Sequence, residues 1–383
     1  MKNILYIHQS AELYGSDKTL LYLVAEIKDK GFHPIVVLPF KGPLYTELEK
    51  AGIEIIIAPV LKISRKMFAI GNLLSMPLQI FNAFKIIRKQ LKGRKIDLVH
   101  SNTLAVLIGA LYAKRFRIKH LWHVHEIVEH PKFISDLYPK LVDYFAHTVV
   151  FNSQATCDFM VNKKPAMISK SKVVLNGFDR TEAVSTETEI IQLRKDSFNA
   201  TSDEIVIVLV GRISRWKGQQ LLLSAFSDIA QTGLPVKLVF VGSAPPNQEV
   251  FKNMLVEKIK AYGLEDKVTI LPFRNDIWKI WDSIDIAAVP STEPEPFGLV
   301  AIEAMLASKP VVGANHGGLT EIIIEGETGF LVAPNDQEKL AQALLELIKN
   351  KTLRTAMGTK GNQRALAVFS LKRYVADFVV LYR

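Results

Sequence analysis

The sequence has very little cysteine. Cys157 is the only cysteine among 383 residues, so an internal disulfide framework is excluded and a reducing compartment is favoured. The N-terminal sequence MKNILYIHQS contains an apolar run that is too short for a secretory signal peptide, and no small-residue cleavage site follows it. We therefore expect a cytoplasmic protein whose first residues form a β-strand.

Several motifs that carry chemistry are also missing. No G-x-G-x-x-G fingerprint follows the first predicted strand or Val210, which counts against a nicotinamide or flavin enzyme. No P-loop, G-x-S-x-G, H-E-x-x-H or paired Cys/His pattern indicates a kinase, a hydrolase or a metalloprotease. The sequence also lacks zinc-finger spacing, an aromatic RNA-binding signature and a helix-turn-helix, so we expect no nucleic-acid partner.

Positive charge is unevenly distributed along the chain. The formal net charge is +10, and residues 1–170 carry 24 Lys and Arg against 13 Asp and Glu. Residues 171–383 carry 24 against 25 and are nearly neutral. A basic half favours an anionic partner, such as a membrane surface or an acidic substrate.

Residues 61–91 form an unusual segment of this basic half. Residues 67–84 contain no charged side chain, and basic residues flank them on both sides. The length would allow a membrane span, but the polar residues and Pro77 within it argue against one. Two interpretations stay open: a helix pair that covers the first sheet, or an amphipathic surface that lies on the inner face of an anionic membrane.

Short apolar segments alternate with helix-length segments twice along the chain, with a polar break at residues 176–203. This alternation predicts two α/β domains, each with a doubly wound parallel sheet. We place the linker near residues 172–180 and predict domains at 1–175 and 176–370. A final helix within 371–383 is expected to pack back on the first domain. The predicted strands are residues 3–8, 34–38, 53–58, 97–101, 120–124 and 148–152, then 204–210, 236–242, 268–271, 285–290, 310–313 and 329–332.

Residues 285–307, DIAAVPSTEPEPFGLVAIEAMLA, are read as a strand, an acidic loop and a helix. The backbone N–H groups of Phe297, Gly298 and Leu299 at the helix start lack intrahelical partners and would suit a phosphate. Glu295 and Glu303 are poor phosphate ligands but good acceptors for hydroxyl groups. Phosphate and hydroxyls together describe a nucleotide sugar, although solvated glutamates on an ordinary strand-loop-helix fit the same residues.

Two further loops are expected to follow strands at the edge where open sheets bind ligands. The sequence GRISRWKG begins at Gly211, and its Arg212 and Lys217 would meet a diphosphate as a bidentate group and a point charge. A solvated basic loop is the alternative. In the first domain, Gly15 marks either a phosphate or acceptor contact or a tight turn, with Ser16 as the expected N-cap of the next helix.

His123 and His125 are predicted to share one face of the strand at residues 120–124 and to lie at its ligand-binding end. A neutral imidazole there can orient a hydroxyl or donate toward a developing charge. A metal site is the rival interpretation, but no Asp, Cys or third His stands at a recognisable ligand spacing. The glycine-rich turn at residues 315–321 also follows a strand and could line the same site.

At this point the motifs resemble a known family. Glu295 and Glu303 match the E-x7-E signature of retaining glycosyltransferases of family 4, and Gly211, Arg212 and Lys217 match its G-R-x4-K-G element. The resemblance covers essentially the whole chain and is strongest across residues 204–334. The first loop departs from the family's common Gly-Gly pair, since Tyr14 precedes Gly15.

The resemblance implies two facing Rossmann-like domains of GT-B architecture with an interdomain cleft. The second domain would hold a nucleotide-diphosphate sugar, and the first would hold a glycan or lipid-linked acceptor. Arg212 and Lys217 would bind the diphosphate, Glu303 the ribose and Glu295 the sugar hydroxyls. His125 would lie beside the reacting sugar, and the amides of Phe297, Gly298 and Leu299 would serve the phosphate or sugar.

The family also implies transfer with retention, by same-face attack in which the leaving phosphate accepts the acceptor's proton, and it needs no metal or other cofactor. We therefore expect a glycosyltransferase of cell-surface polysaccharide or lipid-linked oligosaccharide synthesis, peripheral at the inner membrane face. The alternatives are a sugar-nucleotide epimerase of the same architecture and an inactive sugar-binding scaffold.

Overall fold

A computed structural model describes residues 1–61 and 70–383 of the chain. These residues form two compact units. The first contains Met1–Phe178 together with Ser370–Arg383, and the second contains Asp179–Phe369. Each unit is an α/β structure built around one parallel sheet.

The sheet of the first unit has the strand order β3-β2-β1-β4-β5-β6-β7, and every neighbouring pair is parallel. Most residues of the central strands are buried, as expected for a parallel sheet whose two faces are covered. The strands are β1 (Lys2–His8), β2 (Phe32–Leu38), β3 (Glu54–Ile57), β4 (Leu98–Asn102), β5 (Lys119–Val124), β6 (Thr148–Phe151) and β7 (Ser171–Val173).

The helices of this unit fill the connections between successive strands, and one further helix returns from the C-terminus. They are α1 (Gly15–Ile27), α2 (Pro43–Lys50), α3 (Ile70–Leu91), α4 (Leu107–Phe116), α5 (Lys132–Phe145), α6 (Gln154–Lys163) and, at the chain end, α15 (Leu371–Tyr382). The Tyr382 hydroxyl lies 3.0 Å from that of Tyr6 in β1 and 2.6 Å from Nδ1 of His100 in β4. The last helix is therefore part of the first unit's core.

Two details of the first unit differ from the sequence prediction or extend it. Strand β7 lies where the linker was expected. The sequence does not predict this strand because three residues at a sheet edge are too few to show an apolar pattern. Helix α3 buries Ala83, Ile87 and Leu91 in the core of this unit, as expected of a helix that covers the sheet. The remainder of the unusual segment, residues 62–69, lies outside the described residues.

The second unit has a six-stranded parallel sheet with the order β10-β9-β8-β11-β12-β13. Its strands are β8 (Ile205–Val210), β9 (Val236–Val241), β10 (Val268–Leu271), β11 (Ile286–Val289), β12 (Val311–Ala314) and β13 (Gly329–Val332). Its helices are α7 (Glu187–Phe198), α8 (Gln219–Ala230), α9 (Glu249–Ala261), α10 (Ile277–Asp282), α11 (Leu299–Leu306), α12 (Leu319–Ile322), α13 (Gln337–Lys349) and α14 (Lys351–Val368).

Both sheets reverse their strand order at one place, between β1 and β4 in the first unit and between β8 and β11 in the second. Connections on the two sides of such a point run in opposite directions, which opens a crevice at the carboxyl ends of the strands. The residues after β1, β4, β8 and β11 are therefore the ones that the fold presents to ligands. Within the described part of the chain, no helix is both long and apolar enough to cross a bilayer.

Candidate functional site

The carboxyl ends of β1, β4 and β5 bring polar side chains together in the first unit. His8 ends β1, Asn102 ends β4, and His125 follows β5, and all three side chains are buried. Glu126, the neighbour of His125, accepts hydrogen bonds from the backbone N–H groups of His125 and Leu104, both at 3.0 Å. This carboxylate therefore joins the segments that follow β4 and β5 and fixes the position of His125.

A chain of hydrogen bonds connects the first loop with His125. The Tyr14 N–H donates to Oδ2 of Asp17 at 2.9 Å, and Nε2 of His8 donates to Oδ1 of the same carboxylate at 2.5 Å. Nδ2 of Asn102 donates to Nδ1 of His8 at 3.0 Å, and Oδ1 of Asn102 accepts from Nε2 of His125 at 2.9 Å. An amide oxygen can only accept, so His125 carries its proton on Nε2.

This tautomer leaves Nδ1 of His125 as an acceptor on a neutral ring. Burial is the main cause that lowers the pKa of His125 to about 3. The side chain can therefore accept a hydrogen bond from a hydroxyl group at neutral pH, but it is not an acid there. Of the two roles that the sequence left open for this imidazole, the geometry favours orientation of a hydroxyl.

The first loop differs from the prediction that Ser16 caps the following helix. Helix α1 begins at Gly15 with Tyr14 as its N-cap, two residues before the expected cap. The reason is the carboxylate of Asp17, which reaches back to the Tyr14 N–H while it binds His8. Gly15 thus lies at the first helical position, directly after the residue that starts the hydrogen-bond chain.

Acid should destabilise the first unit, because burial lowers the pKa of four of its histidines, His125 among them. Burial lowers the pKa of His120 to about 4 and keeps the pKa values of His100 and His123 well below the usual range. The unfolded chain binds these protons near pH 6.5. Between about pH 6.5 and 4 the unfolded state therefore holds more protons, so the free energy of unfolding falls as the pH is lowered through this window.

The substitution His123→Phe tests this expectation. Neither ring nitrogen of His123 has a hydrogen-bond partner among the described residues, so phenylalanine should be tolerated at pH 7. Amide hydrogen exchange in β4 and β5, measured from pH 7 to 4.5, gives the free energy of opening. This free energy should depend less steeply on pH in the variant than in the wild type, by a slope equivalent to about one bound proton. Identical slopes in the two proteins would contradict a neutral, buried His123.

In the second unit, the loops after β8 and β11 meet at a buried ion pair. Nζ of Lys217 lies 2.6 Å from Oε1 of Glu295, and the same carboxylate oxygen accepts from Oγ of Ser291 at 2.6 Å. The side chains of Lys217 and Glu295 are only 14% and 5% exposed. The Thr292 N–H also donates to the Trp216 carbonyl at 2.8 Å, which fixes one loop on the other.

The glycine-rich turn after β12 packs directly on the Glu295 loop. The Gly318 N–H donates to the Glu295 carbonyl at 2.7 Å, and a Cβ on Gly317 would lie 2.3 Å from that same oxygen. Nε2 of His316 lies 2.9 Å from the Ser291 carbonyl, so the imidazole bonds to the same loop. Two adjacent glycines are needed here because the two backbones approach too closely for side chains.

The Glu295 loop leads directly into helix α11. Leu299 is the first helical residue, so its N–H group has no acceptor within the helix. Gly298 is the N-cap, with a φ of 115° that favours glycine, and Phe297 is buried below it. The first amides of α11 therefore form a helix N-terminus beside the Lys217 and Glu295 pair, which suits an anionic group.

The other residues of the two motifs occupy different environments. Glu303 lies in the second turn of α11, is buried, and accepts from the indole Nε1 of Trp281 at 3.1 Å. The Arg212 side chain is exposed, while its carbonyl accepts from Nε2 of Gln219 at 2.9 Å. Gly211, with a φ of 154°, precedes it at the end of β8. Arg215 pairs with Glu293 at the surface, away from the buried pair.

The structure thus brings Lys217 and Glu295 into contact and gives Glu303 a separate partner. Sequence patterns miss Ser291 and Trp281 in the second unit and His8, Asp17 and Asn102 in the first, whereas His316 lies in the turn that they predict. His8 and Asn102 could have been found, because each ends a strand beside the point where the strand order reverses. Trp281 has no such signal, since it lies on α10. Among the described residues, no three His, Cys, Asp or Glu side chains converge in a way that could hold a metal ion.

Comparisons with known proteins agree with this architecture. In sequence, the chain is 26% identical over 226 residues to the N-acetyl-alpha-D-glucosaminyl L-malate synthase of Bacillus anthracis. The aligned region covers 58% of this chain and 57% of that protein. The chain is also 26% identical, over 242 residues, to the capsular polysaccharide biosynthesis glycosyltransferase CapM of Staphylococcus aureus, and the aligned region covers 62% of each protein. The aligned regions therefore span under two thirds of these relatives' lengths.

In structure, the chain is similar to Anabaena HepE in complex with UDP and glucose. The TM-score is 0.86 at 26% identity, and the match covers 99% of this chain and 98% of that one. Two family models match successive parts of the sequence: Glycosyltransferase Family 4 at residues 14–182 and Glycosyl transferases group 1 at residues 191–364. The chain therefore belongs to glycosyltransferase family 4 and has the two-domain GT-B fold.

Proposed function

We propose that the protein is a glycosyltransferase that moves a sugar from a nucleoside diphosphate sugar to a hydroxyl of a glycan or lipid-linked glycan. The observation that carries the proposal is the buried pair of Lys217 and Glu295 beside the N-terminus of α11. A cation and outward-facing amides suit a diphosphate, and a carboxylate suits sugar hydroxyls. These are the two chemical parts of such a donor.

The ion pair gives Lys217 and Glu295 different roles. Lys217 has three N–H donors, so it can keep its bond to Glu295 and still bind a phosphate oxygen. Glu295 holds Lys217 in place through one oxygen, which leaves its second oxygen as the acceptor for a sugar hydroxyl. Arg212 is exposed at the end of the neighbouring strand and would add a bidentate contact to the diphosphate. Glu303, fixed by Trp281, would accept from the ribose hydroxyls.

We propose transfer with retention of the anomeric configuration and without a metal ion. The two cations would stabilise the separating diphosphate, which is the electrostatic part of catalysis. The leaving phosphate would take the proton of the attacking hydroxyl on the same face of the sugar. His125 would accept a hydrogen bond from a hydroxyl through Nδ1 and orient it, since its neutral ring does not supply a proton.

A uridine diphosphate sugar is the proposed donor, and synthesis of a surface polysaccharide is the proposed setting. HepE was crystallised with UDP and glucose and with UDP-glucose, and CapM belongs to capsular polysaccharide biosynthesis. The basic first half of this chain favours an anionic surface, such as that of a membrane. Peripheral contact with an anionic membrane is therefore part of the proposal.

Thermal unfolding with and without UDP tests the donor site. A ligand that binds only the folded state at a hundred times its Kd stabilises by about 2.7 kcal/mol. UDP should therefore raise the Tm of the wild type by several degrees, and Lys217→Ala should remove most of that rise. ADP and GDP serve as matched controls. If no nucleoside diphosphate stabilises the protein, the proposed donor site is wrong.

The reaction itself is tested with UDP-glucose, with and without a mixture of glycan acceptors, and with or without EDTA. We expect acceptor-dependent release of UDP that EDTA leaves unchanged, and NMR of the product should show the donor's anomeric configuration. Interconversion of the donor without acceptor would instead indicate an epimerase. UDP binding without any turnover would indicate a binding scaffold.

A further inference from the structure

A cavity of about 750 Å³ lies at the amino edge of the first sheet. Its walls are the C-terminal half of α3, the segment that leads from α3 into β4, and the end of α4. Ile96 and Ile118 line it, and they precede β4 and β5 respectively. The volume is within the range of small-molecule sites.

The cavity is distant from the residues assigned to the reaction. Ile118 lies just before β5 and His125 just after it. A strand rises about 3.3 Å per residue, so these two ends of β5 are separated by roughly 20 Å. A molecule in the cavity therefore cannot present a reacting hydroxyl to His125, and the cavity is not the acceptor's reactive subsite.

The rim of the cavity is positively charged. Lys85, Arg88, Lys89 and Arg115 line it and are exposed, and none of them pairs with a carboxylate among the described residues. The fifth lining cation, Arg94, is instead neutralised by Glu54. Four uncompensated cations around one cavity attract an anion.

The wall below this rim is apolar. Phe84, Tyr112 and Phe116 pack together there, with ring centroids 4.6–5.8 Å apart. The guanidinium groups of Arg88 and Arg115 lie 5.3 and 5.5 Å from the Phe116 centroid. The Phe116 ring is thus already stacked with cations and does not offer a free platform for a nucleic-acid base.

On the protein surface, helix α3 continues this combination of cations and apolar side chains. Leu78 and Phe81 are 61% and 63% exposed, and Lys85 follows on the same side at the spacing of one helical face. This face therefore runs from exposed apolar side chains to cations at the cavity rim. An acidic peptide would satisfy the cations but leave the apolar face and the cavity wall in water, whereas an anionic lipid would cover both.

We propose that this cavity binds an anionic phospholipid of the membrane, with the phosphate at Lys85, Arg88, Lys89 and Arg115 and the start of an acyl chain against Phe84 and Ile118. The inference rests on the membrane contact proposed above and gives it a site. It places the contact at the amino edge of the first sheet, at the far end of β5 from His125.

Vesicle co-sedimentation of the full-length chain tests the site. The wild type should bind phosphatidylcholine vesicles that contain phosphatidylglycerol, but not phosphatidylcholine alone. One cation near an anionic surface changes binding about fivefold, so Lys85→Glu with Lys89→Glu should weaken binding at least about 25-fold. The matched control changes two exposed lysines elsewhere in the same unit, Lys30→Glu with Lys140→Glu, and should keep most of the binding.

A second variant distinguishes a lipid from a free anion. Phe81→Ser removes exposed apolar surface and no charge, and it should also weaken binding to the anionic vesicles. Inorganic phosphate and poly-glutamate at matched ionic strength should not displace the protein from the vesicles. Equal loss in the control pair, wild-type binding by Phe81→Ser, or displacement by either soluble anion would overturn the lipid site.

Failure of the site and failure of the wider proposal give different results. A wild type that binds no anionic vesicle would remove both the membrane contact and this site. Normal vesicle binding by the Lys85 and Lys89 double variant would remove the site alone. UDP stabilisation, measured in the same preparations, reports the donor site and the folding of each variant independently of the vesicles.

Discussion

Lys217→Ala should lower turnover at saturating donor by roughly 10²–10³, the usual loss when one group that stabilises a developing charge is removed. Nζ of Lys217 is held at 2.6 Å from Glu295 in a buried pair, so its position is fixed before any phosphate arrives. Lys217→Arg should recover part of the activity, because it restores the charge with a different geometry. Initial rates at several donor concentrations give the measurement.

The buried pair complicates this experiment in a predictable way. Removing one partner leaves a buried charge without compensation, which costs about 3–5 kcal/mol in comparable pairs. The bond from Ser291 to Glu295 offsets part of that cost. The double variant Lys217→Ala with Glu295→Gln should therefore be more stable than Lys217→Ala alone but no more active.

Stability and turnover, measured together, separate a catalytic role of Lys217 from a structural one. If the double variant regains both stability and activity, the loss in Lys217→Ala came from the unpaired carboxylate. Wild-type turnover by Lys217→Ala at saturating donor would remove the lysine from the mechanism altogether. Tm values of the three variants, measured beside the kinetics, complete the comparison.

Much of the fold is predictable from the sequence because a parallel sheet covered on both faces needs continuous apolar strands. Strands β10 and β13 begin and end at the predicted residues, and the other predicted strands shift by only one or two. The short edge strand β7 was missed, because an edge needs only a few backbone hydrogen bonds and little apolar surface. The turn at Gly317 was predicted, but its contact with Glu295 was not.

The site was predictable as a set of residue types but not as a set of contacts. Lys217 and Glu295 are 78 positions apart in the chain, and only folding shows that they neutralise one another. The hydrogen bonds from His8 through Asn102 to His125 likewise join the ends of three strands. Local spacing carries no information about such pairs, since their distances depend on sheet register and on how the loops pack.

Gly218→Ala should be a strongly damaging substitution at the candidate site of the second unit. Gly218 has a φ of 81°, and a Cβ there would lie 2.0 Å from the carbonyl oxygen of Pro290. Pro290 directly precedes Ser291, so relief of the clash must move the loop that carries Glu295 away from Lys217. We expect loss of UDP stabilisation as well as a lower free energy of unfolding.

Gly233→Ala is the matched control for this substitution. Gly233 has a φ of 75°, close to that of Gly218, but a Cβ there would meet nothing within 4 Å. The left-handed backbone alone costs about 1–2 kcal/mol, and overpacking adds typically about 1–3 kcal/mol. In urea unfolding, Gly233→Ala should therefore show only the first cost and keep its response to UDP, whereas Gly218→Ala should show both costs. Equal losses in the two variants would mean that backbone strain, and not the contact with Pro290, makes Gly218 necessary.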